Sequence, residues 1–257
     1  MSELLEIAEL AALRSGRMLL HYQDQGNLQV KYKDQHNIVT EADKKSEDLI
    51  LSIIQRAYPE HAIFSEEAGG MVTANGYLWV VDPLDGTTNF AHNLPHYAVS
   101  IALLHDGVPV VGVVYNPVRD ELFTAERGEG ALLNGQIIEP SAISHLETAV
   151  VIANRGSDPA EKLRFGHIFK VLTEHVRSIR VPGATALDLC YVASGRFDAI
   201  INNGCEFYDC AAGNLVAMES GAVVTDFEQR SWKCERSDLL VAPESIHGYL
   251  TDVVKNL

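Results

Sequence analysis

Leu4, Ala8, Ala11, Ser15, Met18 and Tyr22 recur at steps of three and four, the spacing of one helix face. A second stripe, Ile50, Ile53, Ile54 and Ala57, follows Thr40-Glu41-Ala42-Asp43 and stops before Pro59, so it predicts another helix. Asp43 then falls near that helix's positive end. From residue 77 the texture changes to short apolar runs. Leu78-Trp79-Val80-Val81 reads as a strand that runs directly into Asp82. Tyr97 to Leu104 and Val108 to Tyr115 read as strands joined across Asp106-Gly107, a strong hairpin signal. Glu121 to Ala125 adds a strand before the turn Arg127-Gly128-Glu129-Gly130.

The stretch around Glu139-Pro140-Ser141 is the best boundary, dividing the chain into residues 1–138 and 139–257. Beyond it strands and helices alternate. Ala149 to Ala153 reads as a strand, and Asp158-Pro159 opens a helix with Phe165, Ile168, Phe169, Leu172 and Val176 as its apolar face. A helix from Thr185 to Ser194, a strand from Phe197 to Ile201 and a helix after Asp209 follow. Strands at Ala222–Thr225 and Leu239–Ala242 precede a closing helix from Ser245. The expected class is α/β, with helices layered on mixed sheets.

Composition narrows the setting. No apolar run in these 257 residues approaches the roughly 18 that a membrane span needs. The N-terminus MSELLEIAEL carries acid where a secretory signal carries base, so the cytoplasm is the expected location. A net charge of −15 argues against a broad nucleic-acid footprint and is compatible with acids gathered around divalent cations. Cys190, Cys205, Cys210 and Cys234 form no C-x-x-C pair and read as buried thiols in a reducing compartment.

The chemistry concentrates in Asp82-Pro83-Leu84-Asp85-Gly86-Thr87-Thr88-Asn89-Phe90. Two carboxylates leave the end of a strand three residues apart, with a proline stiffening the turn between them. Hard cations take oxygen ligands, and such a turn offers them in fixed geometry. Gly86 permits close backbone approach, and the N–H groups of the helix start after it attract an anion such as phosphate. Taken alone, the pattern reads equally well as a capped turn. In isolation Asp43 reads more readily as a helix-capping acid and Glu66-Glu67 as a solvated pair, and Asp209 reads also as an N-cap.

The Asp82–Phe90 string resembles the signature of the inositol monophosphatase family of lithium-sensitive, metal-dependent phosphatases. The resemblance spans nearly the whole chain. Asn37-Ile38-Val39-Thr40-Glu41-Ala42-Asp43 matches the family's Asp-x-Val-Thr-x-x-Asp, with Asn for the leading Asp, and Ser65-Glu66-Glu67 matches its Gly-Glu-Glu. Gly183-Ala184-Thr185-Ala186-Leu187-Asp188 resembles the substrate-side loop, and Tyr208-Asp209-Cys210-Ala211-Ala212-Gly213 the family's Trp-Asp-x-Ala-Ala-Gly. Five elements in order make a chance match improbable.

The resemblance implies two magnesium ions, with room for a weaker third. Glu66, Asp82 and the Leu84 carbonyl would hold the first; Asp82, Asp85 and Asp209 the second. Asp43, Thr87 and Glu66 would orient the attacking water, and the N–H groups of Gly86 and Thr87 would bind the phosphate. Asp85, Gly183, Ala184, Thr185, Asn202 and Asp209 would face the alcohol. It further implies a layered α-β-α-β-α sandwich of two subdomains, a homodimer, and hydrolysis of inositol-1-phosphate or a similar polyol phosphate. Neighbouring activities on the same scaffold act on fructose-1,6-bisphosphate or a nucleotide 3′-phosphate. A regulatory binding protein with a partner in transcription is the alternative from another class.

One departure concerns the substrate. Family members that act on inositol phosphates carry glutamate seven residues before the second-metal aspartate, where this chain has Asn202. An amide still bonds a hydroxyl but brings no charge. Lys33 corresponds to a basic residue of the metal-site loop. His92 and His96, on the short helix expected after the signature, read as supporting residues rather than ligands.

Overall fold

Strand alternation explains the architecture. In the computed structural model, which describes residues 2–25, 30–32, 38–70, 72–73, 75–233 and 235–255, the strand Tyr77–Asp85 is buried along nearly its whole length. Leu78 and Val80 enter one core, and Trp79 and Val81 enter another. Apolar side chains at every position from Leu78 to Val81 mean a strand covered on both faces. Lys33, Asn37 and Cys234 lie outside the described residues.

In chain order the elements are α1 (Glu3–Gln25), β1 (Val30–Tyr32), β2 (Ile38–Thr40), α2 (Glu41–Ala57), β3 (Ala62–Ser65), β4 (Gly69–Gly70) and β5 (Tyr77–Asp85). Then come α3 (Thr87–Ala91), β6 (Ala98–His105), β7 (Val108–Asn116), β8 (Glu121–Glu126), β9 (Gly130–Leu133) and β10 (Gln136–Ile137). The second half holds β11 (Val150–Arg155), α4 (Pro159–His175), β12 (Ser178–Arg180), α5 (Thr185–Ala193) and β13 (Ala199–Cys205). It closes with α6 (Phe207–Ser220), β14 (Val223–Thr225), β15 (Ser237–Ala242) and α7 (Glu244–Val254).

Strands β10-β9-β8-β7-β6-β5-β3-β4 form an eight-stranded sheet, antiparallel except where β3 runs parallel to β5. A five-stranded sheet, β12-β11-β13-β15-β14, is parallel on either side of β11 and antiparallel beyond β13. Helices α1 and α2 cover the outer face of the first sheet, α5 and α6 fill the space between the sheets, and α4 and α7 cover the second. This is the expected α-β-α-β-α sandwich.

The middle layer is buried on both sides, so its helices carry no polar stripe. Every residue of α5 from Ala186 to Ala193 is buried, and so are Cys210 to Ala217 of α6. Small residues let the layers approach. A Cβ on Gly213 would stand 2.8 Å from the Leu189 side chain, and one on Gly112 of β7 would stand 2.8 Å from the Ala212 carbonyl. Among the described residues, no helix is long and apolar enough to cross a membrane.

Several expected bounds move. The strand placed at Phe197–Ile201 runs instead from Ala199 to Cys205, because Arg196 and Phe197 turn back onto the Tyr191 carbonyl. Asp209 does not precede its helix; α6 starts at Phe207 with Glu206 as its cap residue, leaving Asp209 in the first turn. His92 and His96 lie beyond α3, which ends at Ala91. On α4, Ile168 and Leu172 are buried as expected, but Phe169 is 38% exposed.

Candidate active site

The site starts where β5 leaves its ladder. Asp82 pairs with Ser100 and Asp85 with Ala98, and the register shifts between them. The turn is held from outside: Ser46 Oγ of α2 donates to the Pro83 carbonyl at 2.7 Å. Gly86 follows in the left-handed region, φ 89°, as the cap residue of α3. Any side chain there is strained. A Cβ would lie 3.1 Å from both Ala184 Cβ and the His96 carbonyl, so the turn packs directly on the entrance to α5.

Five acids frame this turn. Asp43, Asp82 and Asp85 are buried, and Glu66 and Asp209 are partly exposed. Because β3 runs parallel to β5 in register Ser65 to Val81, Glu66 leaves its strand level with Asp82, and its N–H donates to the Val81 carbonyl at 3.0 Å. Glu47 of α2 pins the following loop by accepting from the Ala68 N–H at 2.9 Å. Asp82 Oδ1 accepts from the Leu84 N–H at 3.0 Å. Thr87 Oγ1 stands 3.1 Å from Asp43 Oδ1 and 3.1 Å from the Leu84 carbonyl.

Asp85 has a second task that its motif does not announce. Its Oδ2 accepts from the Leu187 N–H at 3.2 Å, so it caps α5, whose own cap residue Ala184 supplies no side-chain bond. Asn89 adds another tie between the halves, its Nδ2 donating to the His96 carbonyl at 2.7 Å and the Pro182 carbonyl at 2.9 Å.

Crowding shows in the acidities. Burial first, then the charges of Glu66, Asp85 and Asp209, push the Asp82 carboxyl well above the ordinary range, against the pull of the Leu84 N–H. Burial and then Asp188 raise Asp85 to about 7, opposed by the Leu187 N–H and His96. Acids so placed need a compensating positive charge, either protons or a cation. Among the described residues, no three His, Cys, Asp or Glu side chains close on a single point, so the acids frame the cleft rather than form a finished cage. Their chemistry nonetheless fits magnesium, since every donor is oxygen and that ion keeps several waters, needing few protein ligands.

These shifts make metal-free stability depend on pH. Asp85 keeps its proton to about pH 7 when folded and loses it near 4 when unfolded. Between those values the folded chain binds more protons, so this group makes metal-free stability fall as pH rises. Asp82 acts in the same sense. His61 and His247, lowered by burial, act oppositely below about pH 6.5. A magnesium ion held by these acids would compete with their protons, so the Tm gained by adding it should grow from pH 5 to pH 8. A gain that is flat or shrinking in thermal scans would contradict this.

The acids open onto a cleft of about 480 Å³. Glu66, Asp82, Leu84, Asp85, Gly86, Thr87, Gly183, Thr185 and Asp209 line it, all expected from the sequence. Three expected residues stand behind its surface. Asp43 is buried against Thr87, Ala184 packs under Gly86, and Asn202 lies below Thr185, its Nδ2 3.3 Å from Thr185 Oγ1. His96 lines no part of the cleft, and its Nε2 bonds Asp188 Oδ1 at 2.7 Å. Asn154, Arg155, Gly156, Ser157, Val181 and Pro182 complete the wall without having been singled out by motif. Their signal is topological. β11 has parallel partners on both sides, and ligands collect at carboxyl ends where such a sheet reverses its strand order.

The structure is a two-sheet α/β sandwich whose central cleft holds an acid-framed turn and a helix start, an arrangement suited to binding a phosphate beside cations. The family model described as "Inositol monophosphatase family" matches residues 1–257, and the chain belongs to that family. It is 41% identical over 235 residues to the Nus factor SuhB of Pseudomonas aeruginosa, covering 88% of this chain and 86% of the relative. Among solved structures it is similar to the extragenic suppressor protein suhB of Bartonella henselae, at 36% identity and TM-score 0.94, covering 99% of both chains. It is also similar to the inositol monophosphatase of Anabaena (Nostoc), at 36% identity and TM-score 0.87, covering 99% of this chain and 96% of that one.

Proposed function

We propose that this protein hydrolyses the phosphate monoester of a polyol, inositol-1-phosphate or a close analogue, with magnesium as cofactor. The observation that carries the reading is the buried Asp82, crowded by Glu66, Asp85 and Asp209, on the same turn that presents the first N–H groups of α3. Glu66, Asp82 and the Leu84 carbonyl are the donors for one ion, and Asp82, Asp85 and Asp209 for a second. Bound there, magnesium supplies Lewis acidity to the transferring phosphoryl group and to the attacking and leaving oxygens.

The chain's own residues do the rest. The Gly86 and Thr87 N–H groups donate to the phosphate oxygens where charge spreads in the transition state. Thr87 Oγ1, bonded to Asp43, receives and orients the attacking water, and the paired carboxylate takes up its proton. Gly183, Ala184 and Thr185 shape the alcohol side together with Asn202. Two magnesium ions, lithium sensitivity and a homodimer accompany this reading as family expectations, and cytoplasmic residence as the expectation from the N-terminal sequence.

The test is phosphate release from inositol-1-phosphate, glycerol-2-phosphate, fructose-1,6-bisphosphate and a nucleotide 3′,5′-bisphosphate at saturating magnesium. The polyol monophosphates should rank first; a preference for either bisphosphate would move the assignment to the neighbouring activity. Asn202→Glu, which restores a charged acceptor, should raise selectivity for inositol-1-phosphate over glycerol-2-phosphate by about 3–10-fold, on the order of 1 kcal/mol. An unchanged ratio would remove position 202 from the pocket. The name Nus factor, carried by the Pseudomonas relative, favours a second reading, a binding role in transcription alongside catalysis. Co-purification of RNA polymerase with the tagged protein would support it.

A further inference from the structure

An arginine on the cleft wall bears on the substrate class, and its role rests on the phosphatase reading. Among the described residues that line the cleft, Arg155 is the one cation. It ends β11 and pairs in the parallel ladder with Asn203 of β13. The turn that follows is seated closely on that strand. The Gly156 N–H donates to the Asn203 carbonyl at 2.6 Å, and a Cβ on Gly156 would stand 2.9 Å from the Gly204 carbonyl. The backbone that presents the guanidinium is therefore held in place, while the side chain itself is exposed.

Among the described residues Arg155 forms no ion pair, and its Nη1 donates to the carbonyl of the next residue, Gly156, at 3.3 Å. The acids of its surroundings are already engaged. Glu161, packed against Gly156, accepts from Arg236 at 2.5 and 2.6 Å. Asp158 caps α4 through the Ala160 N–H at 2.7 Å, and Asp188 holds His96 and Asn154. The ladder positions beside Arg155 offer amides instead: the pair Asn154 and Asn202, and Asn203. This part of the wall thus carries a positive charge and no acid to cancel it. A hydrated surface arginine needs no partner, but a cation lining a cleft that receives an anionic substrate acts where solvent screens it less.

We propose that Arg155 receives a carboxylate carried by the alcohol being released. The guanidinium leaves the Gly156 carbonyl, exchanging one long bond to a neutral acceptor for two charge-assisted bonds to the carboxylate. One planar fork matches one planar carboxylate and balances its single charge. A second phosphate, with close to two charges, would keep part of its charge uncompensated beside the acids of the cleft. Among polyol phosphates, the preferred substrates are therefore those whose carbon skeleton also bears a carboxylate, the monophosphates of sugar acids and related hydroxy acids.

The test measures kcat/KM with magnesium present on matched pairs: 2-phosphoglycerate against glycerol-2-phosphate, and 6-phosphogluconate against glucitol-6-phosphate. Within each pair a carboxylate replaces a CH2OH group and the ester is otherwise the same. The wild type should favour the acid in at least one pair by about 10-fold or more. Arg155→Gln should lower that acid-to-neutral ratio by about 10–100-fold, the worth of a charge-assisted contact. Arg155→Lys, which keeps the charge and loses the fork, should recover part of it. No preference for either acid in a wild type that hydrolyses inositol-1-phosphate, or an unchanged ratio in Arg155→Gln, would overturn the proposal and leave the phosphatase reading standing. An Arg155-dependent preference confined to fructose-1,6-bisphosphate over fructose-1-phosphate would also overturn it, assigning the arginine to a second phosphate. A wild type silent on every ester would remove the phosphatase reading, and this proposal with it.

Discussion

Asp82→Asn should abolish turnover and at the same time make the metal-free protein more stable. The first effect follows from position, because Asp82 is the acid shared between the two proposed ion sites. Removing its charge should lower kcat by at least about 10³-fold, some 4 kcal/mol of transition-state stabilisation. The second follows from crowding. Burial and three neighbouring acids oppose ionisation of Asp82, and an amide removes that opposition while its oxygen still accepts from the Leu84 N–H. A higher Tm is therefore expected in chelator at pH 8. Asp85→Asn should lose turnover as completely with a smaller gain, because the charge of Asp85 also favours the N-terminus of α5 that it caps. Thermal scans and phosphate release on the same preparations read both effects. Loss of activity together with a fall in metal-free Tm would mark Asp82 as a structural acid.

Gly86→Ala should damage stability and catalysis together. At φ 89° an L side chain costs about 1–2 kcal/mol. The added carbon would also press on Ala184 Cβ, the His96 carbonyl and Tyr97 Cβ, all within 3.3 Å and none at the tip of a flexible side chain. A total near 2–4 kcal/mol is expected. Relief requires the turn to back away from α5, which carries Asp85 and the N–H groups of α3 out of register. Small misplacements of positioning groups cost about 10² in rate, and that is the expected fall in kcat. Gly183→Ala is the comparison: its φ is 83°, but nearby atoms leave room, so only the backbone strain of about 1 kcal/mol should appear in denaturant unfolding. Equal losses in the two variants would deny the close contact at Gly86 any role.

Much of this arrangement is legible in the chain itself, for identifiable reasons. The hairpin across Asp106-Gly107 and the helix opened by Asp158-Pro159 carry local signals that tertiary packing has no cause to override, and both form where expected. The signature turn is legible because a strand, two acids, a glycine and a helix start stand consecutively. β12 is not, since Ser178-Ile179-Arg180 is a three-residue edge strand held by its parallel partner β11 rather than by an apolar pattern. The start of α6 is missed because Asp209 looks like a cap, whereas the helix begins two residues earlier. Long-range partnerships are hidden altogether. Nothing near Asp85 announces a cap on a helix starting a hundred residues later, and nothing near Asn154 announces that Asn202 will lie beside it. Local spacing encodes neither the order of strands in a sheet nor the face on which two strands meet.

The central claim is that the acids of this cleft act by holding magnesium. Its most direct test is phosphate release from inositol-1-phosphate by chelator-treated protein as magnesium is titrated back. The account predicts no release above background at the start, recovery with rising magnesium, and no recovery in Asp82→Asn at any concentration. Full activity in chelator, or equal recovery in Asp82→Asn, would contradict it.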